Sequence, residues 1–209
     1  MIKMLIRFFF CSIIIMLCSC TRGLNKNTIV GIQPYAGFSK GKADTIAITI
    51  SEFYKVKTIV LPEIKLPKEA FIQIKSARYR ADSIIKIQNR TKADTLDFII
   101  GITQSDISTT KKDKLGKTRE PKYKYEDWGI MGLAYCPGNS CIVSTFRLQH
   151  KNSMIHFTRL KKVAVHEFGH NLGLPHCSNK KCVMTDAVES IKTIDNTKLA
   201  LCEVCFNRI

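Results

Sequence analysis

Acidic residues are scarce in this sequence of 209 residues: 17 Asp and Glu stand against 33 Lys and Arg, which gives a formal net charge of +16. Such an excess favours anionic partners, for example anionic lipids, polyanions or acidic peptides, and charge alone does not choose among them. The basic residues are scattered as well as clustered, a pattern typical of a lysine-rich solvated surface. We therefore predict no nucleic-acid site.

The sequence also lacks an apolar run of the ~20 residues that a membrane-spanning helix needs. Its most apolar stretch, Phe8 to Leu17, is shorter than that and follows the basic residues Lys3 and Arg7. A positive start followed by a short apolar run is typical of a signal peptide. The basic excess belongs almost wholly to the part of the chain that follows this leader.

The apolar stretch ends at Leu17-Cys18-Ser19-Cys20, which resembles a bacterial lipobox. The resemblance implies cleavage after residue 19, acyl chains on Cys20, and an exported lipoprotein anchored to a membrane of the bacterial cell envelope; several acyl chains together hold a protein firmly to a bilayer. The alternatives are an uncleaved anchor and an ordinary secretory signal in which Cys20 is incidental. We predict a signal peptide over residues 1–19, a polar tether over 20–27 and a folded domain over 28–209.

No internal repeat and no second domain is recognisable, and the length suits one domain. Composition and turn residues predict an α/β fold. We expect strands at 28–34, 57–61, 96–103, 130–134 and 141–148, and a helix at 78–89. Residues 44–54 fit a helix or a strand, because isoleucines alternate there. Lysines dominate 105–127, which predicts a mobile, solvated loop without a core; contact with lipid headgroups or with the active-site cleft is the functional alternative.

The most informative segment begins at Lys161. Residues 163–172 are predicted to form a helix that Gly173 and Pro175 end. His166 and His170 lie four residues apart, so their imidazoles project from one helix face, close enough to share a metal ion. Gly173 allows a sharp turn that brings His176 back as a third ligand. The pattern is H-E-x-x-H-x-x-G-x-x-H.

Three neutral nitrogen ligands leave a zinc ion one coordination position for water, as catalytic zinc sites require. Glu167 follows the first histidine and is placed to take the proton of that water as it attacks a peptide carbonyl. The pattern thus predicts a zinc metallopeptidase with Glu167 as its general base. His150 and His156 fit no such pattern, and we interpret them as ordinary polar residues.

Four cysteines follow the third histidine in a C-x4-C and C-x2-C arrangement: Cys177, Cys182, Cys202 and Cys205. Four thiolates suit a closed structural zinc site, which would clip the C-terminal segment to the active-site loop. Two disulfides are the alternative in an oxidising compartment. Cys136 and Cys141 flank the turn at 137–140, and the sequence leaves open whether they form a disulfide or remain two thiols.

Read together, the histidine pattern, the C-x-M segment ending at Met184 and the final C-x-x-C resemble the archaemetzincin signature. The resemblance implies a metzincin-like domain: a small twisted mixed sheet, an active-site helix and a C-terminal subdomain pinned by zinc. It implies two zinc ions, one catalytic on the three histidines and one structural on the four cysteines, and a Met-turn at Met184. It also implies that an edge strand near Gly132-Leu133-Ala134 aligns an extended substrate.

The expected substrate is a peptide or protein, and the expected state is a monomer. An alternative from another class is a membrane-tethered protein that binds zinc or a polyanion with little or no turnover. Glu167 argues against that alternative, because a protein that only holds a metal ion needs no carboxylate at this position.

Overall fold

The computed structural model describes residues 24–186 and 190–209. The predicted signal peptide and Cys20 lie outside the described residues. Of the predicted tether, residues 24–27 are described: Thr28 N donates to Asn25 O at 3.0 Å in a turn, and Leu24 packs against the core. Within the described ranges, no helix combines the length and the apolar character needed to cross a bilayer.

The described residues form nine strands and six α-helices. The strands are β1 (Ile29–Pro34), β2 (Lys57–Val60), β3 (Phe71–Gln73), β4 (Ala77–Arg80), β5 (Phe98–Thr103), β6 (Ile107–Thr109), β7 (Trp128–Ile130), β8 (Gly132–Ala134) and β9 (Ser140–Ser144). The helices are α1 (Lys40–Tyr54), α2 (Ala81–Thr91), α3 (Lys122–Tyr125), α4 (Ser153–Asn171), α5 (Ile191–Asn196) and α6 (Glu203–Phe206). This content confirms the α/β class.

The main sheet has the strand order β2-β1-β5-β9-β8. The first four strands are parallel, and β8 runs antiparallel to β9, with Gly132 opposite Val143. Every residue of β5 and β9 is buried, because helices cover both faces. Cys141 and Val143 face the core shared with α1 and α4, whereas Ile142 faces the core shared with α2. The turn predicted at 137–140 thus joins two paired strands, and β8 is an edge strand. The strand predicted at 141–148 ends at Ser144, however, and Phe146–Leu148 form a 3-10 helix.

A second, smaller sheet has the order β3-β4-β6-β7. Strand β6 and helix α3 lie within 105–127. The prediction of a core-free loop is therefore wrong for residues 106–108, which are buried, whereas residues 112–117 and 119–124 are exposed. Ile107 is fully buried, and Arg78 makes ion pairs with Asp106 at 3.2 Å and with Asp127 at 3.5 Å. The scarcity of apolar residues suggested a loop. In the structure, buried ion pairs hold both ends of this segment.

Helix α1 resolves the ambiguity at 44–54. Ile46 and Ile50, four residues apart, are fully buried, whereas Ile48 is 57% exposed. The burial of the isoleucines therefore follows the period of a helix, in which positions i and i+4 share a face. Residues 78–80, predicted as helix, instead form the end of β4, and α2 begins at Ala81.

Helix α4 carries the site and is longer than predicted. It begins at Ser153, where the side chain of Asn152 accepts hydrogen bonds from the first turn, a strong N-cap. Leu160, Ala164 and Phe168 are fully buried against the sheet. On another side of the helix, Tyr54 Oη donates to Val165 O at 2.8 Å and joins α1 to α4. Gly173, with φ of +90°, follows the helix end and turns the chain sharply.

Candidate active site

Three imidazoles meet at the C-terminal end of α4. We call His166, His170 and His176 the histidine cluster. One ligand nitrogen from each lies within 4.8 Å of the others, and His166 Nε2 is 3.0 Å from His170 Nε2. Nitrogens on a tetrahedral zinc ion with bonds of 2.0–2.1 Å lie about 3.3 Å apart. The residues therefore fit the metal that the sequence predicts.

The orientation of these rings is fixed by acceptors behind them. His166 Nδ1 lies 2.8 Å from Val183 O, and His170 Nδ1 lies 2.7 Å from Leu174 O. Because a carbonyl oxygen only accepts, both Nδ1 atoms must carry the proton, which leaves both Nε2 lone pairs for a metal ion. His176 Nδ1 lies 3.7 Å from the carboxylate of Asp186.

Burial keeps two of the ligands neutral. Burial, followed by the neighbouring His170, lowers the pKa of His166 to about 3. Burial also lowers the pKa of His170. Neutral imidazole is the form that binds a metal ion.

Glu167 lies beside the histidine cluster and against the edge strand β8. Its side chain is buried, and burial raises the pKa of Glu167 to about 8. A Cβ atom at Gly132 would lie 2.6 Å from Glu167 Oε1, closer than atoms that are not bonded normally approach. The absence of a side chain at Gly132 therefore makes room for the carboxylate. The sequence predicts Gly132 in the edge strand, but no pattern in it marks this contact.

We predict that Gly132→Ala lowers kcat/KM by about 10–100-fold, because even a 1 Å displacement of a catalytic group is costly. The added methyl group must displace the Glu167 side chain from its position beside β8. The matched control is Gly41→Ala, since nothing lies within 4 Å of a Cβ atom there. Steady-state kinetics on one peptide checks this; equal kcat/KM in the two variants would show that Glu167 tolerates the displacement.

Met184 lies directly under the active-site helix. It is fully buried, and a Cβ atom at Gly169 would lie 2.5 Å from Met184 Sδ. Cys177 N donates to Met184 O at 2.8 Å, so the segment around Met184 is tied to the residue that follows His176. The structure thus brings Met184 beneath the histidine cluster, where the family resemblance expects a Met-turn.

The other four predicted ligands also converge. We call Cys177, Cys182, Cys202 and Cys205 the cysteine cluster; their Sγ atoms all lie within 4.8 Å of one another. Cys177 Sγ and Cys202 Sγ are 3.6 Å apart. A disulfide requires about 2.05 Å, whereas two thiolates on a tetrahedral zinc ion with bonds of 2.3 Å lie about 3.8 Å apart. The geometry suits zinc and does not suit disulfides.

The pair left open by the sequence, Cys136 and Cys141, consists of two free thiols. Cys141 is fully buried in β9. Cys136 is exposed, and its Sγ donates to Leu174 O at 3.4 Å. That carbonyl also accepts from His170, so Cys136 lies behind the histidine cluster.

A cavity of about 370 Å³ opens beside the histidine cluster. Its walls come from β8, from α4, from residues 109–111 at the end of β6 and from residues near Val183 and Ile194. In the sheet formed by residues 24–186 and 190–209, β8 pairs along one edge with β9. An extended peptide can therefore pair with the other edge and pass Glu167.

Comparison with known proteins agrees with this arrangement. Residues 26–209 match the family model described as peptidase family M54. The chain belongs to peptidase family M54. M54 relatives include the archaemetzincin of Halobacterium salinarum, 30% identical over 75% of this chain and 85% of its own length. The archaemetzincin of Haloquadratum walsbyi is 31% identical over 75% of this chain and 84% of its own. Membership of the M54 family confirms the predicted zinc metallopeptidase.

Solved archaemetzincins share the M54 fold seen here. The crystal structure from Methanopyrus kandleri matches with a TM-score of 0.70 and 23% identity, over 87% of this chain and 92% of that one. The structure from Archaeoglobus fulgidus matches with a TM-score of 0.68 and 24% identity, over 87% and 100%. The metzincin-like fold expected from the sequence is therefore confirmed.

Proposed function

We propose that this metallopeptidase hydrolyses peptide bonds at the histidine cluster, which holds one zinc ion, with Glu167 as the general base. The observation that carries the proposal is the 3.0 Å separation of His166 Nε2 and His170 Nε2, with Glu167 on the same helix and against the substrate-binding edge. The Nδ1 atoms of His166 and His170 both donate to carbonyl oxygens. The Nε2 lone pairs of the two rings therefore remain free for one metal ion between them.

Each part of the site has a role in the reaction. A zinc ion bound there supplies Lewis acidity and acidifies a water molecule. Glu167 takes the proton from the attacking water and delivers it to the leaving amine. Burial, which raises the pKa of Glu167 to about 8, makes this carboxylate a stronger base than an exposed glutamate. The free edge of β8 holds the substrate backbone beside that carboxylate.

We also propose that a second zinc ion, on the cysteine cluster, is structural. Four sulfur ligands leave no open position for a substrate. Cys177 adjoins His176 in the sequence, and Cys202 and Cys205 belong to the C-terminal segment. A metal ion bound there would hold that segment to the loop that carries the third histidine.

The test of the proposed function is removal and return of the metal. The chain from Thr21 onward, treated with a chelator, is expected to lose all cleavage of a mixed peptide library and to regain it when zinc is added. Cleavage that survives chelation, with zinc loss verified by mass spectrometry, would contradict the proposal. Full zinc loading without any cleavage would instead favour the alternative of a zinc-binding protein with no turnover.

We propose, from the lipobox-like Leu17-Cys18-Ser19-Cys20, that acyl chains on Cys20 anchor the protein to a membrane of the cell envelope. Cys20→Ala is expected to move the protein from the membrane fraction to the soluble fraction, because the lipid attachment is lost. Cys136→Ala, at an exposed cysteine of the folded domain, is the matched control and is expected to stay with the membrane. Unchanged membrane association of Cys20→Ala would defeat the proposal.

A further inference from the structure

The cavity beside the histidine cluster has a buried cation in its wall. Lys162 lies on α4 one turn before His166 and lines the cavity. It is only 8% exposed, an unusual situation for a lysine. Its Nζ donates to Ile194 O at 2.8 Å and to Asp195 O at 3.2 Å, near the C-terminal end of α5.

Within the described part of the chain, both hydrogen bonds of this ammonium group go to carbonyl oxygens and none goes to a carboxylate. The nearby Asp195 is engaged by Arg159, whose Nε and Nη2 both donate to it at 2.7 Å. Arg159, Lys162 and Asp195 therefore carry one net positive charge behind the cavity wall. Burial lowers the pKa of Lys162, and the negative charge of Asp195 raises it in part. The net lowering is expected for a cation whose charge is incompletely compensated.

The cavity has little else to offset that charge. Among the residues that the structure describes, Glu167 is the one carboxylate that lines it, and Lys111 also lines it. The carboxylate of Asp186 lies outside this lining, 3.7 Å from His176. The remaining lining is largely apolar, with Val163, Val183 and Ile194 among its side chains. Charge acts over several ångströms between such low-dielectric walls. An anionic group that enters the cavity is favoured there, and a cationic group is disfavoured.

We infer that this cavity selects substrates with an acidic side chain next to the cleaved bond, and that Lys162 is the residue that determines this preference. The inference rests on the proposed function, since it concerns the same cleft. The two carbonyls that Lys162 contacts account for two of the three N–H groups of an ammonium. The carbonyls are neutral, so they do not compensate the positive charge of Lys162. A carboxylate bound in the cavity would compensate it.

The test separates selection from turnover. A peptide that the zinc-loaded parent binds is resynthesised with Glu or Gln at each position in turn. Binding is measured with the zinc-loaded Glu167→Ala chain, and kcat/KM with the parent. At one position, the Glu peptide is expected to bind about tenfold more tightly than the Gln peptide at low salt, which is the effect of one partly buried charge pair.

Variants of Lys162 then show whether this residue causes the preference for Glu over Gln. Lys162→Gln retains a donor for the α5 carbonyls and is expected to reduce the Glu/Gln ratio to below about twofold; Lys162→Arg is expected to retain it. Lys161→Met, at the neighbouring lysine that does not line the cavity, is the matched control and is expected to leave the ratio unchanged. Circular dichroism verifies that each variant is folded.

Two results overturn the inference. The first is equal binding of the Glu and Gln peptides by the parent at every position. This result contradicts the inference even if the Lys162 variants do not fold. The other is an equal Glu/Gln ratio in the parent and in Lys162→Gln, which would assign the preference to zinc or to the overall charge. Selective binding without cleavage in the parent would support the inference while contradicting the proposed function.

Discussion

Glu167→Gln is expected to lower kcat by about 10²–10⁴-fold, the usual contribution of a general base, while the zinc content stays that of the parent. The amide has nearly the shape of the carboxylate, so it fits the space beside Gly132, but it cannot take a proton from water. Steady-state kinetics on one peptide, with zinc counted in the same samples, checks the result.

Glu52→Gln is the matched control, because this glutamate lies on α1, away from the cleft, and is exposed. Its kcat is expected to equal that of the parent. If Glu167→Gln cleaves the peptide as fast as Glu52→Gln does, then Glu167 is not the base and the assigned mechanism is wrong. If Glu167→Gln loses zinc as well as activity, the carboxylate contributes to metal binding instead.

Cys205→Ser is expected to remove one zinc ion per chain and to lower the free energy of unfolding by about 4 kcal/mol, the scale of a lost structural metal site. That corresponds to roughly 10 °C in Tm for a chain of this size. Cys205 is buried, and a hydroxyl group binds zinc far more weakly than a thiolate. Metal analysis and thermal unfolding give the two readouts.

Cys136→Ser is the control for this second prediction, because Cys136 lies outside the cysteine cluster and a serine hydroxyl can still donate to Leu174 O. It is expected to retain two zinc ions and nearly the parent Tm. A cysteine cluster oxidised to disulfides would give a different result: the parent itself would contain one zinc ion, and Cys205→Ser would not change that number.

The site could be predicted largely because its residues are close together in the sequence. The spacing of His166 and His170 on one helix, and the turn at Gly173, determine most of the geometry of the histidine cluster. The cysteine cluster needs only one longer connection, from Cys182 to Cys202. Short-range geometry of this kind depends little on how the rest of the chain folds.

The parts that were missed depend on distant contacts. The smaller sheet is built from strands of three or four residues, too short to show a period, and it is held by Arg78 and its buried aspartates. The close approach of Gly132 to Glu167 joins β8 to α4, and no sequence pattern marks it. The carbonyls of Val183 and Leu174 that orient the histidines carry no residue-specific signal, since any residue supplies a carbonyl.

The central claim is that the histidine cluster holds one metal ion, and zinc counting tests it most directly. The parent chain from Thr21 onward and its His170→Ala variant are purified with zinc present and analysed by mass spectrometry, with folding checked by circular dichroism. We predict two zinc ions per chain in the parent and one in the variant. Equal zinc content in the two folded proteins would contradict the account.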